Sequence, residues 1–458
     1  MEPLSPIDGR YRKHTEPLVA FLSEAARIRY RVIVEGEYLI ALSEHPDIDV
    51  REFSPEEKAI VRRIYDLSEE DIQIVRDIEL RGYKNIKATQ HDVKAIEYFL
   101  WEKLGATSLR DILEWIHFGL TSEDVDNVAY GLMLGDALEK VIIPALVEIS
   151  NTLQSFARAY GGSPMLSRTH GQPASPTTMG KEFKVFEKRL ESQLAELRVR
   201  RISVKLNGAT GNYNAHIAAY PNVDWVAFTK SFIERLKRER GARLDISLWT
   251  TQVEPHDTYA ELFDNLRRIN VILIDFCQDV WRYISDGWLV QKKVEGEVGS
   301  STMPHKINPI KFENAEGNLG VANALLNHFS NKLPISRLQR DLSNSTVERN
   351  FGVALGHGLI AYEQIRSGLE RIVVDERKML EDLEKHPEVI TEAVQTILRR
   401  EGVQAPYEAL KGLARGKTLS MKDIQDFIES LDVSENVKQE LRLITPSSYL
   451  GISKQLSQ

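Results

Sequence analysis

Apolar side chains recur along this chain at steps of three and four. From Leu262 the run continues through Leu266, Ile269, Leu273, Phe276, Val280 and Ile284, one stripe down a single long helix. Ile142, Leu146, Ile149, Leu153 and Phe156 repeat the spacing, as do Phe183, Phe186, Leu190, Leu194 and Leu197. No stretch sustains the period-two alternation that several successive strands would need. Stripes this long, at a spacing near 3.5, suit helices packed at shallow angles in a bundle, so the pattern predicts an all-α protein.

The punctuation divides these stripes. Gly161-Gly162-Ser163-Pro164 ends one helix, and the stripe that begins near Phe183 is expected to run on until Asn207-Gly208-Ala209-Thr210-Gly211. Between Glu295 and Pro309, two glycines and two prolines forbid a regular helix. Shorter, charge-rich helices flank the long ones. The expected organisation is an N-terminal helical domain at 1–110, a central long-helix bundle at 111–364 that carries the third break, and a C-terminal helical domain at 365–458.

Charge narrows the partners. The 458 residues carry 59 Lys and Arg against 67 Asp and Glu, a net charge of −8. A chain without a broad positive field is not expected to bind nucleic acid, and any anionic ligand must meet local clusters of Arg, Lys and backbone N–H. The single cysteine, Cys277, excludes an internal disulfide and a multi-cysteine metal site, which points to the cytoplasm. The nearest approach to a bilayer span, Val141 to Val147, is short and interrupted by Pro144, and the first dozen residues lack the apolar core of a secretory signal. No membrane partner is expected.

Three segments combine residues that could carry chemistry. Gly299 to Pro309 joins a glycine-rich start to the hydroxyls of Ser300, Ser301 and Thr302, the cation of Lys306 and Asn308 before a helix start. It reads either as an anion site or as a surface loop in which Asn308 caps the next helix. Ser167 to Pro173 places His170 in a turn bounded by Gly and Pro, either as a proton-transfer group or as a partly buried histidine in a capping turn. In Arg337 to Arg349, Ser345 with Glu348 fits a capping box, which would start a helix at Ser345 and aim its first N–H groups toward Arg340. Arginines around a helix start suit a phosphate, though solvated surface arginines fit equally well. His91 and His117 each stand beside a plausible helix start, at Asp92 and at Thr121-Ser122-Glu123-Asp124, where capping or packing also explains them. No pair of histidines has the helical spacing of a metal site, so no metal is expected.

Taken together, Gly299 to Pro309 resembles the signature loop of the fumarase/aspartase superfamily, and His305 before Lys306 favours its nucleotide-processing branch. Ser5 to Tyr11, Thr121 to Asp124, Thr169 to Gln172, Gly211 to His216 and Gln339 to Asp341 are similar to the longer bacterial members of the branch that cleaves adenylosuccinate. The likeness covers nearly the whole chain, with Gln90 standing where that branch carries Asn. It implies an all-α homotetramer whose central bundles join into a twenty-helix core, with active sites shared between chains. It implies elimination of fumarate from adenylosuccinate and from succinylaminoimidazole carboxamide ribotide in purine nucleotide biosynthesis, without a cofactor. By the same likeness His170 is the general acid, Ser300 the base and Glu313 the group that holds the imidazole, while Lys306 and Asn308 stabilise the developing charge. Arg10, Tyr11, Arg340, Ser345 and Arg349 would hold the nucleotide and its phosphate. Gln90, His91, Asp92, Thr121, Ser122 and Gln252 would contact the rest of the substrate, chiefly its succinyl part.

Overall fold

The helical stripes become helices. In the computed structural model, which describes residues 2–292, 303, 306–414 and 419–458, the stripe from Leu262 lies on the helix Asp257–Ser285. Leu262, Leu266, Ile269, Leu273, Phe276 and Val280 are all buried there. Burial of one such side chain contributes roughly 1.5–3 kcal/mol, so truncating Phe276 to Ala would cost about 3–5 kcal/mol. The other two stripes lie on Ile143–Ala159 and Met179–Val199, and two further long helices are Ile310–Lys332 and Phe351–Leu369. Ser300 lies outside the described residues. Among the described residues no helix is long and apolar enough to cross a membrane.

Pro144 does not break its helix. It has no N–H and its ring crowds the preceding turn, and the chain answers by widening Leu138–Ile142 into a π turn, with Ile143 N–H bonding to Leu138 O. The helix Ser122–Ala137 therefore runs on through this turn into Ile143–Ala159.

The chain forms two compact units, one of residues 1–146, 194–270 and 318–361, the other of 147–193, 271–317 and 362–458. In the first, the helix Glu24–Ser43, buried over nearly its whole length, packs on Ser122–Ala137. The stripe from Phe183 ends earlier than its spacing predicts, at Val199, because Ile202–Val204 pairs in parallel with Leu244–Ile246. This ribbon closes onto the helix at Gly131, where an added Cβ would lie 2.7 Å from the Leu244 side chain. The helix near Ser345 also begins earlier than expected, at Ser343, and no capping box forms. Asp341 supplies the cap instead, accepting from the Ser343 backbone N–H at 2.8 Å and from its hydroxyl, while Glu348 turns inward and is buried.

In the second unit, Phe156, Phe183, Phe186, Phe276 and Phe312 stack as a core of tilted and edge-on rings. The segment expected as an irregular turn is an antiparallel hairpin, Pro164–Thr169 with Gln172–Thr178. Its two-residue tip is His170-Gly171, both at positive φ, the geometry that matches strand twist. At its base Met179 N–H bonds to Ser163 O and Gly180 N–H to Tyr160 O. Gly180 is obligatory, since a Cβ there would sit 2.3 Å from Ala157 O. A second antiparallel pair joins Leu289–Gln291 to Ile372–Val374.

Candidate active site

A cleft of about 560 Å³ opens in the first unit. One wall is Gln90, His91 and Asp92 at the start of the helix Asp92–Leu104, with Ser122 and Asp126 from the first turns of Ser122–Ala137. The facing wall is Gln252 with Arg340, Asp341, Leu342, Ser345 and Arg349, around the short helix Ser343–Glu348.

Each group is held by its local structure. His91 is the N-cap, its Nδ1 accepting from Lys94 N–H at 3.2 Å, which leaves Nε2 3.5 Å from Ser122 Oγ. Ser122 follows Thr121, whose side chain forms a capping box with Asp124. Asp124 is fully buried and accepts from the backbone of Asn207 and Gly208, and the equally buried Lys205 ammonium lies 2.6 Å from it. Loss of either charge would leave the other buried and unpaired, at a cost of about 3–5 kcal/mol. The helix start beneath the cleft is thus fixed to the unit's interior. Gln252 donates to Ala209 O at 2.9 Å and accepts from Arg340 Nη1 at 3.1 Å.

Asp92, Asp126 and Asp341 of the cleft are already matched. Burial disfavours the Asp92 charge, but Arg31 at 2.9 Å, Arg349 at 3.1 Å and Arg27 at 3.8 Å overcome it and hold its carboxyl down at about 2. Arg31 also bonds Asp126 at 2.5 Å. Asp341 is held at about 2 by the hydroxyl and backbone N–H of Ser343. The guanidinium groups of Arg340 and Arg349 line the cleft while each is held by a carboxylate, Glu123 at 3.1 Å for Arg340 and Asp92 at 3.1 Å for Arg349, and an anion with several acceptor oxygens is a ligand that their remaining N–H groups suit.

Other residues that the sequence singles out lie elsewhere. Arg10 and Tyr11, in the first unit, precede the helix Arg12–Leu22, with the Arg10 guanidinium 5.9 Å from the Tyr11 ring. His117 also belongs to the first unit, its Nδ1 2.6 Å from Glu35 Oε1. His170, Lys306, Asn308 and Glu313 belong to the second unit. His170 is exposed at the hairpin tip at φ 53°, so it is not the half-buried histidine of a capping turn. Lys306 is exposed, and Glu313, on the first turn of Ile310–Lys332, accepts from Trp281 Nε1 at 3.0 Å. Among the described residues no hydrogen bond joins His170 to Glu313.

Sequence reasoning missed Glu79 and Asp126 in the cleft, and Arg27 and Arg31 behind it. The signal for the arginines was present: they sit one turn apart among the apolar residues of Ala26 to Val34, where a solvated face would not place them.

Residues 9–323 match the family model described as Lyase, and residues 336–450 the one described as Adenylosuccinate lyase C-terminal. An adenylosuccinate lyase of Dictyostelium discoideum is 48% identical over 98% of this chain and 96% of its own length. One of Escherichia coli K12 is 45% identical, covering 98% and 96%. Among solved structures, a 3-carboxy-cis,cis-muconate lactonizing enzyme from Pseudomonas putida aligns with a TM-score of 0.73 at 20% identity, covering 96% of this chain and 94% of that one. A fumarate lyase from Mesorhizobium sp. BNC1 aligns at 0.74 and 18% identity, covering 96% of each. At that identity the two structures share this chain's fold.

Proposed function

Since the chain belongs to the adenylosuccinate lyase family, enzymes of the lyase class, we propose that it cleaves adenylosuccinate to AMP and fumarate and also removes fumarate from succinylaminoimidazole carboxamide ribotide. The observation that carries this reading is the cleft itself, with two guanidiniums and Ser345 on one wall and a capped helix start with Ser122 on the other. A substrate with one phosphate and two carboxylates needs donors at both ends.

The elimination runs by acid and base alone. Ser300 takes the proton from the carbon beside a succinyl carboxylate, and the electron pair spreads onto that carboxylate, where Lys306 and Asn308 stabilise it. As the carbon–nitrogen bond breaks, His170 gives its proton to the departing nitrogen, and the electron pair forms the double bond of fumarate. Glu313 orients the imidazole. Arg340, Ser345 and Arg349, joined by Arg10 and Tyr11, take the nucleotide and its phosphate. Gln90, His91, Asp92, Thr121, Ser122 and Gln252 take the rest, chiefly the succinyl group.

The assembly we propose is a homotetramer whose sites draw these residues from different chains. Exposed apolar side chains on the long helices support it: Val185, Val271 and Trp281 in the second unit and Val321 in the first. The exposed tip that carries His170, and a Glu313 bonded to Trp281 and not to His170 within one chain, support it further. We place the enzyme in the cytoplasm, where a lone cysteine stays reduced.

The direct test is fumarate release by the purified protein, followed by absorbance. Adenylosuccinate should yield fumarate and argininosuccinate none. Release from argininosuccinate alone would overturn the assignment.

A further inference from the structure

Behind the cleft, inside the first unit, lies a cluster that does not form its wall. Glu123, His256 and Glu348 bring ligating atoms within 4.8 Å of one another, and none of the three residues is more than 4% exposed. They arrive from separate elements: the first turn of Ser122–Ala137, the residue before Asp257–Ser285, and the last residue of Ser343–Glu348. His256 stands at φ 61°, a left-handed backbone that is strained for a residue with a Cβ, and its ring stacks on Tyr259. Such strain persists only where the surroundings dictate the side chain's place.

The protons follow from the geometry. His256 Nδ1 lies 3.4 Å from Leu333 O and so carries the ring hydrogen, which leaves Nε2 bare, 3.5 Å from Glu348 Oε1. Burial keeps this imidazole neutral, with its pKa down at about 4. Burial, and after it the neighbouring carboxylates, push both Glu123 and Glu348 up. Arg340 Nη2 lies 3.1 Å from Glu123 Oε2 and favours the negative charge there. The donor set of the cluster would also suit a divalent cation, but the guanidinium already supplies the positive charge.

We propose that Glu123 is a positioning residue, which from inside the protein anchors Arg340 in the orientation that meets the phosphate end of the substrate. The Arg340 fork is held at two points, by Glu123 behind it and by Gln252 Oε1 at 3.1 Å beside it, while the residue itself lines the cleft. Glu123 is not part of the cleft wall, so it acts through Arg340. The inference rests on reading Arg340 as a phosphate contact.

The experiment compares Glu123→Ala with Arg340→Ala on adenylosuccinate and on succinyladenosine, its dephosphorylated form. Each variant should raise KM for adenylosuccinate by about 10-fold with kcat nearly kept, and change kcat/KM for succinyladenosine by less than about two-fold. If Arg340→Ala discriminates between the substrates and folded Glu123→Ala does not, the anchor is overturned and the phosphate reading stands. If Arg340→Ala fails to discriminate, the phosphate reading falls and the inference with it. Equal losses on both substrates in Glu123→Ala would show that it only supports the fold. Should Glu123→Ala not fold, Arg340→Lys decides: it keeps the charge but cannot hold both points, so KM for adenylosuccinate should rise about five-fold or more, and a wild-type KM would overturn the proposal.

Discussion

Gln90 shows how one side chain can sit uneasily in a site. It stands at φ 50°, where a short Asn amide bonds the local backbone readily and a Gln reaches only to Leu80 O at 3.4 Å. Gln90→Asn should therefore stabilise the protein by about 0.5 kcal/mol and raise its Tm slightly, with activity kept; a lower Tm would contradict the strain. Arg349 carries a second prediction. Its guanidinium is tied to Asp92 at 3.1 Å and faces the cleft, so Arg349→Ala should lower kcat/KM for adenylosuccinate by about 10-fold to 150-fold and that for succinyladenosine little. An equal loss on both would place Arg349 in the succinyl site or the fold. Arg340 and Arg349 were legible in the sequence because arginines flank a helix start, whereas Gln90, His91, Asp92, Ser122 and Gln252 were reached as substrate contacts only through the family resemblance. Glu123, His256 and Glu348 were not legible there. In a sequence a buried Glu looks like a solvated one, and what separates them, desolvation and the partner across space, belongs to the packed chain.

At the scale of elements, the turn before the helix Ser122–Ala137 is tied down by a histidine. Burial alone would lower the His117 value, but the Glu35 carboxylate 2.6 Å away overrides it and lifts the imidazole to about 9. The folded value lies above the unfolded value of about 6.5, so the pair's contribution is complete below that pH and is lost as pH rises through about 9. It amounts to on the order of 3 kcal/mol at most. Urea midpoints should fall between pH 7 and 9.5 in the wild type and change less in His117→Asn; parallel profiles would contradict the pairing. The helical elements were readable because their period is local and their stripes are long. The hairpin that carries His170 was not, because Arg168, His170, Gln172 and Ser175 face solvent or lie near it and show no apolar alternation. Nor was the early start at Ser343, since Ser345 with Glu348 has the spacing of a cap and only the fold turns Glu348 inward.

At the scale of the whole molecule, the donors proposed for the phosphate lie in one unit and His170, Lys306, Asn308 and Glu313 in the other. These groups are proposed to meet by assembly of several chains. His170→Ala alone should lower turnover by about 10² to 10⁴ in a protein that still assembles. The decisive measurement mixes inactive His170→Ala with inactive Ser300→Ala, dissociated and reassociated together, and follows fumarate release from adenylosuccinate. Part of the wild-type activity should return, because some mixed sites receive both intact residues from different chains. No recovery, once subunit exchange has been demonstrated, would mean that both residues act from a single chain and would contradict the shared site.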